Sequence, residues 1–150
     1  MVEDNKATLT YTQLLKEDLG IFRLVPEDGV IPDFKAGQFL TIGMPVPGEN
    51  NKIVRRAYSI ASHPENKKCF EFVIRWVRKP FPGRLTTELF NAKEGDEVKW
   101  IKPTGHLTIN DELPNGEPDT RRIVCIGGGT GLAPFVSYAQ HLHDVGDKRE

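Results

Sequence analysis

Arg56-Ala57-Tyr58-Ser59 sets a cation, an aromatic ring and a small hydroxyl within four consecutive residues. On a strand, alternation sends Arg56 and Tyr58 to one face and starts Ser59 from the other. A guanidinium fork can hold a phosphate by paired, charge-assisted hydrogen bonds. A tyrosine ring can stack on a planar heterocycle while its hydroxyl reaches a polyol. A serine hydroxyl or its backbone amide can hydrogen-bond a ring nitrogen. Taken alone, the four residues would equally suit an ordinary strand with a solvated arginine and a half-buried tyrosine.

A second signal lies further along the chain. Gly127-Gly128-Gly129-Thr130-Gly131-Leu132-Ala133-Pro134 follows directly on the apolar run Ile123-Val124-Cys125-Ile126. It is not the Rossmann G-x-G-x-x-G, because Leu132 stands where the third glycine belongs. Its glycines still allow a ligand to approach the backbone, and the next helix points its positive end at the loop. Between the two signals, Gly83-Arg84-Leu85-Thr86-Thr87 follows a Pro80-Phe81-Pro82 turn. By itself it reads as a helix cap. Placed just after a strand, its amides and hydroxyl suit a pyrophosphate. In this order, the Arg56–Ser59 stretch and the Gly127–Pro134 loop together describe a site for a large, flat, phosphate-bearing cofactor.

Working outward, residues 6–109 read as short strands separated by turn residues, the spacing of a sandwich or barrel. Strands are predicted at 7–15, 20–25, 38–44, 56–62, 70–77 and 97–101. In the clearest of them Phe70, Phe72, Ile74 and Trp76 share one face at period two. Residues 45–51 form a loop by composition. A short helix is predicted at 85–91, with Thr86 or Thr87 as cap and Leu85 and Leu89 on one face. Residues 110–120 carry two prolines, a glycine and four acids, and read as a linker.

Beyond the linker the pattern changes to strand–loop–helix, the opening of an α/β unit. Residues 122–126 form a buried-type strand. Residues 132–145 follow as a helix with Leu132, Phe135, Val136, Ala139 and Leu142 at helical spacing. A lone strand and helix cannot bury their own faces. The preferred expectation is therefore a fragment of a larger domain, and the alternative is that residues 121–150 pack on the barrel.

Bulk composition removes other classes. Twenty Lys and Arg against 21 Asp and Glu give no electrostatic surface for nucleic acid or membrane. No apolar run approaches a membrane span, and the N-terminus is acidic rather than signal-like. Cys69 and Cys125 make neither a disulfide framework nor an iron–sulfur ligand set, and a cytoplasmic setting is the default. His63, His106, His141 and His143 show no metal-ligand spacing, so no metal is expected. No Ser-His-Asp or Cys-His arrangement is legible.

Arg56-Ala57-Tyr58-Ser59-Ile60-Ala61-Ser62 resembles the flavin-binding signature of the ferredoxin–NADP reductase superfamily. Gly83-Arg84-Leu85-Thr86 is similar to that family's G-x-x-[ST] pyrophosphate motif. Lys102-Pro103-Thr104-Gly105-His106-Leu107 resembles its G-P-x-G-x-[FL] turn, with Lys102 replacing the glycine. The run from Gly127 to Phe135 resembles the glycine motif that opens its NADP-binding domain. The resemblance implies a mainly β fold: a six-stranded antiparallel Greek-key barrel with a short capping helix, at residues 1–115. It implies the first strand–loop–helix of an incomplete NAD(P)-binding α/β domain at residues 121–150.

By motif position, Arg56 binds the pyrophosphate of FAD, and Ala57 belongs to the same signature. Tyr58 packs on the isoalloxazine and Ser59 hydrogen-bonds near N5, which makes these two the catalytic candidates. Val73, Ile74 and Arg75 line the ribityl and phosphate region, and Gly83, Arg84, Leu85 and Thr86 complete the phosphate cradle. Thr130, flanked by Gly129 and Gly131, sits where the nicotinamide of NAD(P)H meets the flavin. The implied activity is electron transfer between NAD(P)H and a one-electron carrier, ferredoxin or flavodoxin. FMN in place of FAD fits the same motifs. The alternatives are the reductase component of an oxygenase system, and a cofactor-free barrel serving as an interaction module.

Overall fold

The computed structural model describes residues 4–48 and 50–149. Glu49 of the predicted loop, the first three residues and Glu150 lie outside them. Six strands form one antiparallel sheet: β1 (Asn5–Lys16), β2 (Leu19–Pro26), β3 (Phe39–Pro45), β4 (Ile53–Ser59), β5 (Phe70–Arg75) and β6 (Glu97–Thr104). Their order is β4-β3-β6-β1-β2-β5, so β6 returns over a long connection to sit between β3 and β1. Such a return is the Greek-key crossover. The two ends of this order come together where the chain leaves β4. There the Ile60 amide donates to Gln38 of the β3 side at 3.0 Å, and the Ala61 amide donates to Glu71 of β5 at 2.8 Å. These bonds close the sheet into a barrel.

The strands predicted from alternation form, with ends shifted by a few residues. The largest shift is in β4, which starts at Ile53 opposite Pro45 and ends at Ser59 opposite Phe39. Residues 60–62 lie past its end because their backbone switches partners from β3 to β5. Alternation also fills the core. Leu9, Phe22, Leu24, Leu40, Ile42, Phe70, Phe72, Ile74 and Val98 are fully or almost fully buried. Trp76 departs from the predicted face, since β5 stops at Arg75. Its ring instead stacks on Phe90 at 5.3 Å, and its indole N–H donates to the Thr87 hydroxyl at 3.1 Å.

The short helix α1 (Arg84–Asn91) caps the barrel by burying Leu85 and Leu89. Its N-cap is Gly83, not Thr86 or Thr87. Both threonines stand inside the first turn, where Thr86 Oγ1 donates back to the Gly83 carbonyl at 3.1 Å and accepts from the Val77 amide at 3.4 Å.

After β6, the linker is held by an arginine. Arg149 donates to the carbonyls of Asn110 and Asp119 at 3.1 and 3.2 Å and pairs with Asp111 and Asp147. A 3₁₀ turn (Gly129–Leu132) leads into helix α2 (Ala133–Asp144). Two expectations need correction here. Residues 122–126 form no strand: Val124 is 72% and Ile126 86% exposed. A parallel strand needs neighbours on both sides to satisfy its backbone and bury its faces, and none stands beside this segment among the described residues. The helix forms, but it buries Ala133, Pro134, Ser137 and Tyr138 rather than the predicted apolar stripe, and Leu132 and Val136 are exposed. α2 packs on the barrel through this face, where the Ser137 and Tyr138 hydroxyls donate to the Ser62 and Leu107 carbonyls.

Candidate cofactor cleft

β4, β5 and α1 meet at one side of the barrel, and a cleft of about 360 Å³ opens between them. Arg56, Ala57 and Tyr58 supply one wall from β4, while Val73, Ile74 and Arg75 supply another from β5. Gly83, Arg84, Leu85 and Thr86 form the end at the start of α1, and Thr130 reaches in from the 3₁₀ turn. Eleven of the fourteen residues singled out from sequence thus share one cavity. Ser59, Gly129 and Gly131 are not among its lining residues. Ser59 sits at the end of β4 opposite Phe39, and the two glycines are exposed in the turn beside Thr130.

Each wall has a local cause. Arg56 is exposed, and its Nη1 donates to the Arg55 carbonyl at 2.7 Å. Its neighbour Arg55 points elsewhere and is held by an ion pair with Asp4. Tyr58 is half-buried, and that burial pushes its phenol up to about 12, with the Arg56 charge pulling weakly the other way. A neutral ring with a proton to donate therefore faces the cleft at any physiological pH. Leu85 lines the cleft while its side chain is buried in the barrel core. Val77 also lines the cavity. Sequence reasoning missed it, since an apolar residue at a strand end carries no chemical signal.

The cleft fits a phosphate-bearing ligand on two grounds. Arg56, Arg75 and Arg84 line it, and no carboxylate does among the described residues. Arg75 also lies 3.7 Å from Asp18. The second ground is Gly83. A Cβ there would lie 2.5 Å from Thr86 Oγ1 and 2.9 Å from Val77 Cβ. Only glycine lets the chain enter α1 this close to the cleft, with the first-turn amides at its edge. Those amides have no acceptor within a helix and carry its positive partial charge.

The comparisons with known proteins show the family. Residues 6–109 match the family model of the oxidoreductase FAD-binding domain. The chain belongs to that family, within the ferredoxin–NADP reductase superfamily. It is 30% identical over 152 aligned residues to the reductase component of propane 2-monooxygenase from Mycolicibacterium goodii, covering 99% of this chain and 39% of that protein. It is 42% identical over 108 residues to ferredoxin–NADP reductase from Pseudomonas aeruginosa, covering 71% of this chain and 37% of that protein. Among solved structures, a ferredoxin–NADP reductase from Neisseria gonorrhoeae with bound FAD and NADP superposes with a TM-score of 0.75 at 23% identity, over 96% of this chain and 53% of that one. The chain therefore spans about two fifths of the length of the curated relatives it matches. Among the described residues, no helix is long and apolar enough to cross a membrane.

Proposed function

We propose that this chain is the flavin-holding part of an NAD(P)H-dependent reductase that passes electrons to ferredoxin or flavodoxin. The observation that carries the reading is the convergence of Arg56, Tyr58, Arg75, Gly83, Thr86 and Thr130, drawn from four separate elements, on one cationic cleft. FAD, when bound, supplies the chemistry: two-electron exchange with a nicotinamide and one-electron exchange with a carrier. The protein supplies position. Arg56 and the first turn of α1, with Thr86, would hold the pyrophosphate. The β5 backbone at Val73, Ile74 and Arg75 would line the ribityl region. Tyr58 would pack on the ring system, with its hydroxyl available to the polyol. Ser59, at the strand end, would hydrogen-bond near N5, and Thr130 would lie where the nicotinamide approaches. No protein acid or base has to move a proton for hydride transfer, in keeping with a cleft that no carboxylate lines among the described residues.

Residues 121–150 belong in this reading to the beginning of an NAD(P)-binding domain. The exposed run at 122–126 is the segment that pairs within it. A cytoplasmic location goes with the reading, where NAD(P)H is kept reduced and where Cys69 and Cys125 persist as free thiols.

One observation favours the oxygenase-reductase variant of this function. The propane 2-monooxygenase reductase aligns over 99% of the chain, whereas the Pseudomonas ferredoxin–NADP reductase aligns over 71%. A cofactor-free interaction module is the weaker alternative, since it gives no reason for Gly83, Arg56 and Tyr58 to stand together. The experiment is to release the cofactor of the purified protein for mass analysis and then mix the loaded protein anaerobically with NADPH or NADH. An FAD mass and loss of visible flavin absorbance on mixing support the reading. A protein that binds neither FAD nor FMN contradicts it.

A further inference from the structure

On the far side of α2 from its exposed apolar face, two histidines and two carboxylates bridge the helix to the barrel. His63 Nε2 lies 2.9 Å from an Asp144 carboxylate oxygen. Its other ring nitrogen, Nδ1, lies 3.0 Å from the Gln140 side-chain oxygen. Both ring nitrogens thus face oxygen acceptors. As an imidazolium the ring donates to both oxygens; as a neutral ring with its proton on Nδ1 for Gln140, it turns the Nε2 lone pair toward the Asp144 carboxylate, so the two together can share a cation. Glu65 completes the arrangement: the ligand atoms of His63, Glu65 and Asp144 all lie within 4.8 Å of one another. A second Glu65 contact, 2.7 Å from His141 Nδ1, steadies that carboxylate.

We propose that His63, Glu65 and Asp144 form a binding site for a divalent transition metal, with zinc as the best-suited ion. One imidazole and two carboxylates are ordinary zinc donors, and three protein ligands leave the fourth tetrahedral position to water. Bonds of about 2.0–2.2 Å put neighbouring ligand atoms roughly 3.4 Å apart, within reach of small side-chain rotations from the separations seen here. Gln140 and His141 act as orienting partners: Gln140 fixes the His63 tautomer, and His141 holds Glu65, as outer hydrogen bonds do at metal-binding histidines and carboxylates. Gln140 and Asp144 are four apart on α2 and so share the face turned to the barrel. The site could not be found from sequence spacing, because His63 and Glu65 come from the loop after β4 and Asp144 from the end of α2. A bound ion would tie α2 to the barrel and, through it, fix the turn that carries Thr130. This site is independent of the flavin reading.

The test is calorimetric titration of zinc chloride into the chelator-treated full chain at neutral pH, with thermal melts in zinc and in EDTA. The expected result is one zinc per chain and a higher Tm with zinc than with EDTA. Affinity should fall by about 100-fold or more in His63→Gln and in Asp144→Asn, since even outer partners of ligands are worth about 10–100-fold. Circular dichroism establishes that each variant is folded, and two separate ligand variants guard against one failing. His143→Gln, on an exposed residue of the same helix, should bind zinc like the unaltered chain. Absence of binding heat, binding unchanged in both ligand variants, or binding lost in His143→Gln would each overturn the proposal.

Discussion

The Ser137 hydroxyl donates a 2.7 Å hydrogen bond to the Ser62 carbonyl, and Ser137 has no exposed surface. Ser62 lies three residues past Ser59, on the segment that closes the barrel between β3 and β5. Its own hydroxyl accepts from the Glu71 amide at 3.1 Å. One buried contact therefore ties α2 to the strand end that presents Tyr58 and Ser59.

Ser137→Ala removes the α2 hydroxyl that donates to that carbonyl. Loss of such a partner costs about 1–3 kcal/mol, or roughly 2–4 °C of Tm for each kcal/mol in a chain of this size. Differential scanning calorimetry should show the drop. Limited proteolysis should cut residues 121–132 faster in the variant than in the parent.

Gly37 is a second constraint on the same interface. Its φ is +90°, and a Cβ would fall 1.9 Å from the Leu107 carbonyl oxygen and 2.4 Å from the Tyr138 hydroxyl. That hydroxyl donates to the same Leu107 carbonyl. Gly37→Ala should therefore displace α2 and destabilise the chain by more than the ordinary core substitution, about 3 kcal/mol or above when backbone strain and overpacking combine. A variant melting within a degree or so of the parent would show that α2 is not held there.

Gly83→Ala tests the entry to α1. The added methyl collides with Thr86 Oγ1 and Val77, so the first turn must shift away from the cleft. FAD affinity should weaken by about tenfold or more, a loss of about 1.4 kcal/mol. Equilibrium titration followed by flavin fluorescence reads it directly.

Tyr58 makes a pH prediction. Its phenol is raised to about 12 in the folded chain by burial, against about 10 unfolded. Between these values the folded state holds a proton that the unfolded state has lost, so stability falls as pH rises. The contribution is complete below pH ~10 and gone once pH passes about 12. An alkaline ultraviolet titration should show a late-ionising tyrosine that is missing in Tyr58→Phe. Loss of an ordinary step near pH 10 instead would contradict the burial assigned to this ring.

Much of the barrel was legible because strand alternation is a local property. Phe70, Phe72 and Ile74 declare their face within five residues, and they are the core. The cleft was legible for a different reason: Arg56, Tyr58 and Thr86 belong to chemically distinctive motifs on consecutive elements of one barrel. What stayed hidden depended on long-range partners. The apolar stripe of α2 pointed to Leu132 and Val136, yet the barrel surface it meets offers the Ser62 and Leu107 carbonyls, His63 and Glu65. Polar residues such as Ser137 and Tyr138 answer these better than leucine does. Residues 122–126 read as a buried strand by composition, but a strand exists only with a neighbour to pair.

The central claim is that the cleft holds FAD through Arg56. The direct measurement is FAD titration into the cofactor-stripped chain and its Arg56→Ala variant, with circular dichroism to match their folds. Saturable binding to one site, weakened in the variant by about 1.5–3 kcal/mol as a charge-assisted phosphate pair requires, is the predicted result. Equal affinity in the two proteins would contradict the claim, because a cation on the pyrophosphate cannot be removed without cost.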